Sequence, residues 1–170
     1  MDPRPLRGLA LRTPRLELRS EDDAGVFELV AETRFCAHPP EAADIVRRFW
    51  RARADHRIDD WHVSFLVRLD NRTVGAFTLE ARDFSITRRI RTGSWIGRRH
   101  QGNGYGAEAR AAVLLFAFDH LGAQCATSTP LTGSTRAMEL TLTKDRFDTH
   151  RPPWHIDATG LDTARPALGL

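Results

Sequence analysis

The sequence predicts a single α+β domain, layered α/β in the broad sense, in which a mainly antiparallel sheet is flanked by helices. Three observations carry this. Strand-like segments at 62–69, 73–80 and 88–97 follow one another through short connections, which argues for an antiparallel meander. A glycine-rich turn, Gly102-Asn103-Gly104-Tyr105-Gly106, comes directly after the last of them. The helix it opens is apolar nearly all round, and a short strand follows, so a strand–helix–strand crossover closes about the glycine turn.

The bounds agree. A chain of 170 residues suits one domain, burying roughly 70% of the surface its unfolded form exposes. The apolar share of 41% and charged share of 28% are ordinary for a globular protein. The net charge of +3 comes from arginine, since Lys144 is the only lysine, and most of these side chains read as a solvated surface. So mild a balance does not call for nucleic acid. Cys36 and Cys125 lack partners at zinc spacing, so no metal site or disulfide framework is expected, and both read as small buried groups in a reducing compartment. No apolar run approaches a membrane span and no signal segment opens the chain. A cytoplasmic protein without membrane association is expected.

Residues 1–13 read as an extended lead-in. Arg15-Leu16-Glu17-Leu18-Arg19 alternates as a half-buried strand does. Ser20 is placed to cap a helix carrying Val26, Phe27, Leu29 and Val30. Glu41 to Arg57 reads as a second helix with Ile45, Val46, Phe49 and Trp50 at helical spacing, and Arg47, Arg48 and Arg51 on a solvated opposite face. Asp70-Asn71 is a hairpin turn pair between the first two meander strands. The helix from Tyr105 to Leu121 ends at Gly122 through a left-handed cap, and Gln124 to Ser128 is the crossover's second strand. Glu139 to Thr143 alternates like one more strand. The core is expected over about 13–143, with 144–170 an irregular, proline-punctuated tail.

Alternating glycines at a strand-to-helix turn let the backbone approach a ligand, and the helix start adds uncapped amides that suit a phosphate. A dinucleotide fingerprint, Gly102-x-Gly104-x-x-Ala107, is weak here. An antiparallel meander precedes the turn, and the next strand ends in Ser128-Thr129 with no carboxylate. A purely structural turn does not require Arg98, Arg99 and Gln101 beside it.

Gln101-Gly102-Asn103-Gly104-Tyr105-Gly106 resembles the Gln/Arg-x-x-Gly-x-Gly/Ala motif of the GNAT superfamily of acetyl-CoA-dependent N-acetyltransferases. Gly93-Ser94-Trp95-Ile96-Gly97 before it and Gly106-Ala107-Glu108-Ala109-Arg110 after it resemble the branch that acetylates ribosomal-protein N-termini. The likeness runs from about Thr13 to Thr129. It implies a GNAT-like fold and transfer of an acetyl group from acetyl-CoA, as co-substrate, to a primary amine on a protein N-terminus or small molecule. The pyrophosphate would rest on amides of Gln101, Gly102, Asn103, Gly104, Tyr105, Gly106 and Ala107. Trp95, Ile96, Gly97, Arg98 and Arg99 would supply main-chain bonds to the pantetheine arm. Arg98 and Arg99 either neutralise phosphates or decorate the strand end.

For chemistry the resemblance implies a carboxylate or water chain as base and a proton donor for the thiolate. Glu80 and Glu108 are the candidate bases, Glu108 reading better as a complement to the helix dipole. Ser128 is the candidate donor, with His62 and His100 weaker candidates. The family's tyrosine acid has no counterpart, because the only tyrosine, Tyr105, lies in the glycine turn. Ser134-Thr135-Arg136-Ala137 resembles the start of the family's next helix, and Met138 to Thr143 its final strand, so an intervening helix and strand are expected to be missing. The cofactor's wall is then absent or rebuilt from the tail around Trp154. The alternative is a degenerate, non-catalytic GNAT domain that binds acyl-CoA or another protein. A homodimer is left open.

Overall fold

A computed structural model of the chain describes residues 6–36, 40–128 and 140–170. The expected Ser134–Ala137 helix start, and residues 138 and 139 of the expected last strand, lie outside those residues. The chain runs β1 (Ala10–Arg12), β2 (Glu17–Ser20), α1 (Asp23–Thr33), α2 (Ala42–Ala54), β3 (Asp60–Leu69), β4 (Arg72–Arg82), α3 (Phe84–Thr87) and β5 (Arg89–Ile96). It continues with α4 (Tyr105–Leu115), β6 (Cys125–Ser128), β7 (Leu140–Thr143), α5 (Lys144–Asp148), β8 (Asp157–Thr159) and α6 (Leu161–Ala164). One sheet holds these strands in the order β7-β6-β5-β4-β3-β2-β1-β8. Only β5 and β6 are parallel, as a crossover connection demands.

The expected meander is present. Asp70 and Asn71 take φ of 48° and 64°, the left-handed pair that a two-residue hairpin turn needs. The sheet is covered on both faces. The larger apolar cluster joins Leu18, Phe65, Phe77 and Ile90 to Ala109, Val113 and Phe116 of the α4 region. The smaller one joins Leu66 and Ala76 to Val26 and Leu29 of α1 and Phe49 of α2. Alternation along β4 therefore sends Phe77 and Leu79 toward α4, and Ala76, Thr78 and Glu80 toward α1 and α2. Past Leu115 the crossover helix widens into a π-helical stretch, Phe116–Leu121, and stops at Gly122 with φ of 77°.

Three expectations are corrected. The cap of α1 is Asp22, whose carboxylate accepts from the Gly25 amide at 2.7 Å, because Ser20 is still paired to Phe65 in the sheet. The lead-in contains β1, a three-residue strand too short to show a period. The tail is ordered: α5 buries Phe147 against Phe118, β8 pairs with β1 at the far sheet edge, and Ala164 and Leu168 are buried. It showed no period because single anchors at uneven spacing hold it, rather than one continuous apolar face.

The β4–β5 pairing positions the strand that leads to the glycine turn, and Gly75 permits it. A Cβ there would stand 2.4 Å from the Trp95 carbonyl oxygen. Gly75→Ala should therefore cost about 1–3 kcal/mol of overpacking, read as a lower urea midpoint with unchanged slope.

Candidate active site

β5 runs beside β6 over only half its length. It pairs with β4 from Arg91 to Ile96, but with β6 only from Arg89 to Thr92, where Thr92 stands beside Ser128. The Gly97 amide donates to Val74 O at 2.9 Å. By strand alternation Ser94 and Ile96 turn their N–H and C=O groups to the other edge. No described strand pairs with that edge beyond Thr92. Gln101 folds back and donates from Nε2 to Ile96 O at 2.9 Å, so its side chain braces the strand end.

Between this edge, the start of α4 and the tail lies a cavity of about 530 Å3, whose lining includes Ser94, Ile96, Ala107, Arg110, Phe147 and His150. The wall on the tail side is thus formed by α5 and the residues just after it. Trp154 packs on the core as a partly buried group and does not line the cavity. Arg110 crosses the divergence of β5 and β6, donating to Ser94 Oγ at 3.3 Å and Ser128 Oγ at 3.4 Å.

The glycine turn carries its conformation through Gly102 and Gly104, both at φ of 79°. A Cβ on Gly102 would meet nothing within 4 Å, so the protein leaves open space there. Gly104 is the N-cap of α4 and has no side chain to satisfy the first amides, which remain available to an anion. Gly106 is already helical and needs no left-handed backbone. Arg15 clasps the turn: its Nη1 donates to Asn103 O at 3.1 Å and its guanidinium lies 4.9 Å from the centre of the Tyr105 ring. The two arginines before the turn separate in role. Arg99 pairs with Glu32 at 2.6 Å and stacks over Phe35, whereas Arg98 is exposed and free of any ion pair among the described residues. His100 also leans on Glu32, at 3.3 Å.

The three candidate catalytic side chains do not converge. Glu108 is buried in the first turn of α4, accepting from Thr13 Oγ1 at 2.6 Å, the Arg15 amide at 3.0 Å and Arg15 Nε at 2.6 Å. Burial pushes its carboxyl up, but the Thr13 and Arg15 hydrogen bonds outweigh it and hold the group below the ordinary range. Glu80 lies on the other face of the sheet. Its oxygens face His62 Nδ1 and Arg91 Nε, each at 3.3 Å, and the His62 hydrogen bond holds this carboxyl down against burial. His62 Nε2 meets Ser64 Oγ at 3.1 Å, so the ring is held from both sides. Of the three, Ser128 alone touches a residue of the cavity wall, accepting from Arg110 Nη1 at 3.4 Å.

Two residues escaped the sequence reading. Arg110 was legible only as an arginine inside an otherwise apolar helix. Glu21 left no signal; it is largely covered beside Arg53 at 3.0 Å, and desolvation pushes its carboxyl above the ordinary range. No described helix is long and apolar enough to cross a membrane.

Glu108→Ala removes the lock between the lead-in and the turn, an expected loss of about 1–3 kcal/mol. A lowered carboxyl stabilises the fold above its ordinary pKa of 4.5 and loses that contribution as pH falls through the native value. The difference in melting temperature between the native protein and Glu108→Ala should therefore be constant above about pH 5.5 and shrink below pH 4.5, by calorimetry.

The fold has known counterparts. A structure from Vibrio cholerae assigned as a ribosomal-protein-serine acetyltransferase superposes with a TM-score of 0.61 at 22% identity, over 74% of this chain and 75% of that one. The ribosomal L7/L12 α-N-protein acetyltransferase RimL, in complex with coenzyme A, gives 0.56 at 16% identity, over 69% and 71%. The microcin C7 self-immunity acetyltransferase MccE, with acetyl-CoA and AMP, gives 0.56 at 14%, over 72% and 73%. At these identities the likeness is one of fold. The profile of the Acetyltransferase (GNAT) domain family matches residues 11–141, well over half of the chain, which therefore belongs to the GNAT acetyltransferase family.

Proposed function

We propose that the chain transfers an acetyl group from acetyl-CoA to a primary amine, on a protein N-terminus or a small molecule. One observation carries the reading: the β5 edge at Ser94 and the Ile96 amide, which no described strand pairs, leads through the glycine turn to a helix start whose first amides lack a side-chain cap. Along this path the pantetheine amides would pair with the strand edge, and the pyrophosphate would rest on the amides of residues 102–107, the Gln101 amide being engaged by Arg98 O at 3.3 Å. Arg98, free of an ion pair among the described residues, would face the phosphates, as would Arg15 at the turn.

The thioester would then lie where β5 and β6 part, near Ser94, Ser128 and Arg110. Attack by the neutral amine forms the C–N bond, the C–S bond breaks, and the thiolate takes up a proton. Ser128 is the candidate donor, with Arg110 beside it to stabilise developing negative charge. Glu80 would act as base only after giving up a contact to His62 or Arg91. A water relayed from the His62–Glu80 pair fits the geometry better than direct proton abstraction by Glu80. The two free cysteines suit a cytoplasmic setting.

Acetyl-CoA at a hundred times its Kd should stabilise the protein by about 2.7 kcal/mol, a rise of several degrees in melting temperature. Gly104→Glu, which puts a carboxylate and a strained backbone at the phosphate site, should abolish the rise. Thiol release over a panel of amines then tests transfer. Absence of a shift at millimolar acetyl-CoA would overturn the reading; a shift without thiol release from any acceptor would point to the non-catalytic alternative.

A further inference from the structure

Helical periodicity assigns Arg47, Arg48 and Arg51 to a solvated face. In the folded chain they line a second cavity, of about 480 Å3, between α2 and the start of β3, where Asp60 and His62 form the opposite wall. Three carboxylates share this lining. Asp44 is engaged by Arg47 at 2.9 Å and Asp60 by Arg82 at 2.8 Å, leaving Asp55. Arg48 and Arg51, one helical turn apart, have no carboxylate at ion-pair distance among the described residues. The cavity thus offers two exposed guanidinium groups against one uncommitted carboxylate. Guanidinium forks of this kind suit carboxylate or phosphate.

The sheet links this cavity to the place where β5 and β6 part. His62 pairs with Glu80, Glu80 with Arg91, and Arg91 with Thr127, forming one polar row on the face covered by α1 and α2. The next row holds Ser64, Thr78 and Gly93, so the face carries no side chain at the residue just past the last β5–β6 pair. Neighbouring strands are about 4.8 Å apart, which puts the His62 end of the row about 10 Å from β5. An extended peptide covers that span with about three residues.

We propose that the acceptor is an acidic peptide N-terminus. Its amine sits near Gly93, and a carboxylate at its second or third residue pairs with Arg48 and Arg51. This inference rests on the acetyltransferase reading above. It assigns the α2 face to acceptor choice, on the side of the sheet opposite the cavity beside β5, and it gives a use to two arginines that have no carboxylate at ion-pair distance among the described residues.

The test compares three tripeptide amides, Ser-Glu-Glu, Ser-Gln-Gln and Ser-Lys-Lys, by thiol release at low salt. The acidic peptide should exceed the basic one by about tenfold or more in kcat/KM, chiefly through KM, with the gap narrowing as salt rises. Arg48→Glu with Arg51→Glu should reverse the order, and the double glutamine variant should flatten it. Both variants should keep the native melting temperature and the full shift with acetyl-CoA, since these side chains are exposed and remote from the glycine turn. Equal use of the three peptides, use of none, or a preference unmoved by the variants overturns the proposal while the acetyl-CoA shift persists. Loss of that shift in the native protein overturns the acetyltransferase reading itself, and this inference with it.

Discussion

The site depends on one strand whose far end is paired on one side and left without a described strand partner on the other. β5 is held along β4 from Arg91 to Ile96, which keeps it straight and rigid, while its ladder with β6 stops at Thr92. Gln101 Nε2 already occupies Ile96 O, so the groups this edge leaves without a described strand partner are those of Ser94 and the Ile96 amide, and such groups are costly to leave dry. They form a fixed template for any ligand with amides of its own. Arg110 stands in the divergence and touches a serine on each strand, so the opening carries a charge at its inner end.

The glycine turn follows from that rail, and its rigidity has an unexpected source. A loop with left-handed backbone at Gly102 and Gly104 would be mobile if left alone. Here the lead-in residues Thr13 and Arg15 reach it across more than ninety positions of sequence, through the buried carboxylate of Glu108. Arg15 also bonds the Asn103 carbonyl, and Gln101 ties the entry to the turn back to Ile96. The turn is therefore held in one conformation by the fold itself, and a ligand proposed to rest on its amides would meet them already ordered. Glu108, one of the candidate bases, is better accounted for as the centre of this clasp.

The two faces of the sheet divide the labour. The α4 face has the 530 Å3 cavity, the serine pair and Arg110. The α1–α2 face has Glu21 with Arg53, the His62–Glu80–Arg91 row, and the arginines of α2. Carboxylates in these clusters move in opposite directions: burial pushes Glu21 up, while Glu80 is held down by its His62 partner. A group with both oxygens committed is a poor proton acceptor, which is why the polar row reads as a frame for the acceptor rather than as a base by itself.

Much of this was legible in the residues. Period-two alternation, the Asp70-Asn71 pair and the glycine spacing report local preferences, so the meander, the turn and the crossover helix followed from them directly. The tail and β1 were not legible, because Phe147, Ala164 and Leu168 have no shared period and β1 has only three residues. Nor was the pairing of Glu108 with Arg15, since two residues so distant in sequence meet only when the sheet brings the lead-in beside α4. The sequence by itself determined the left-handed turns at Asp70-Asn71, in the glycine turn and at Gly122, and where the crossover helix would start, because those depend on neighbours along the chain. Which carboxylates stay free, which arginines remain unpaired, and where the parallel strands part were decided only in the folded chain, because ion pairs and strand divergence are properties of distance in space.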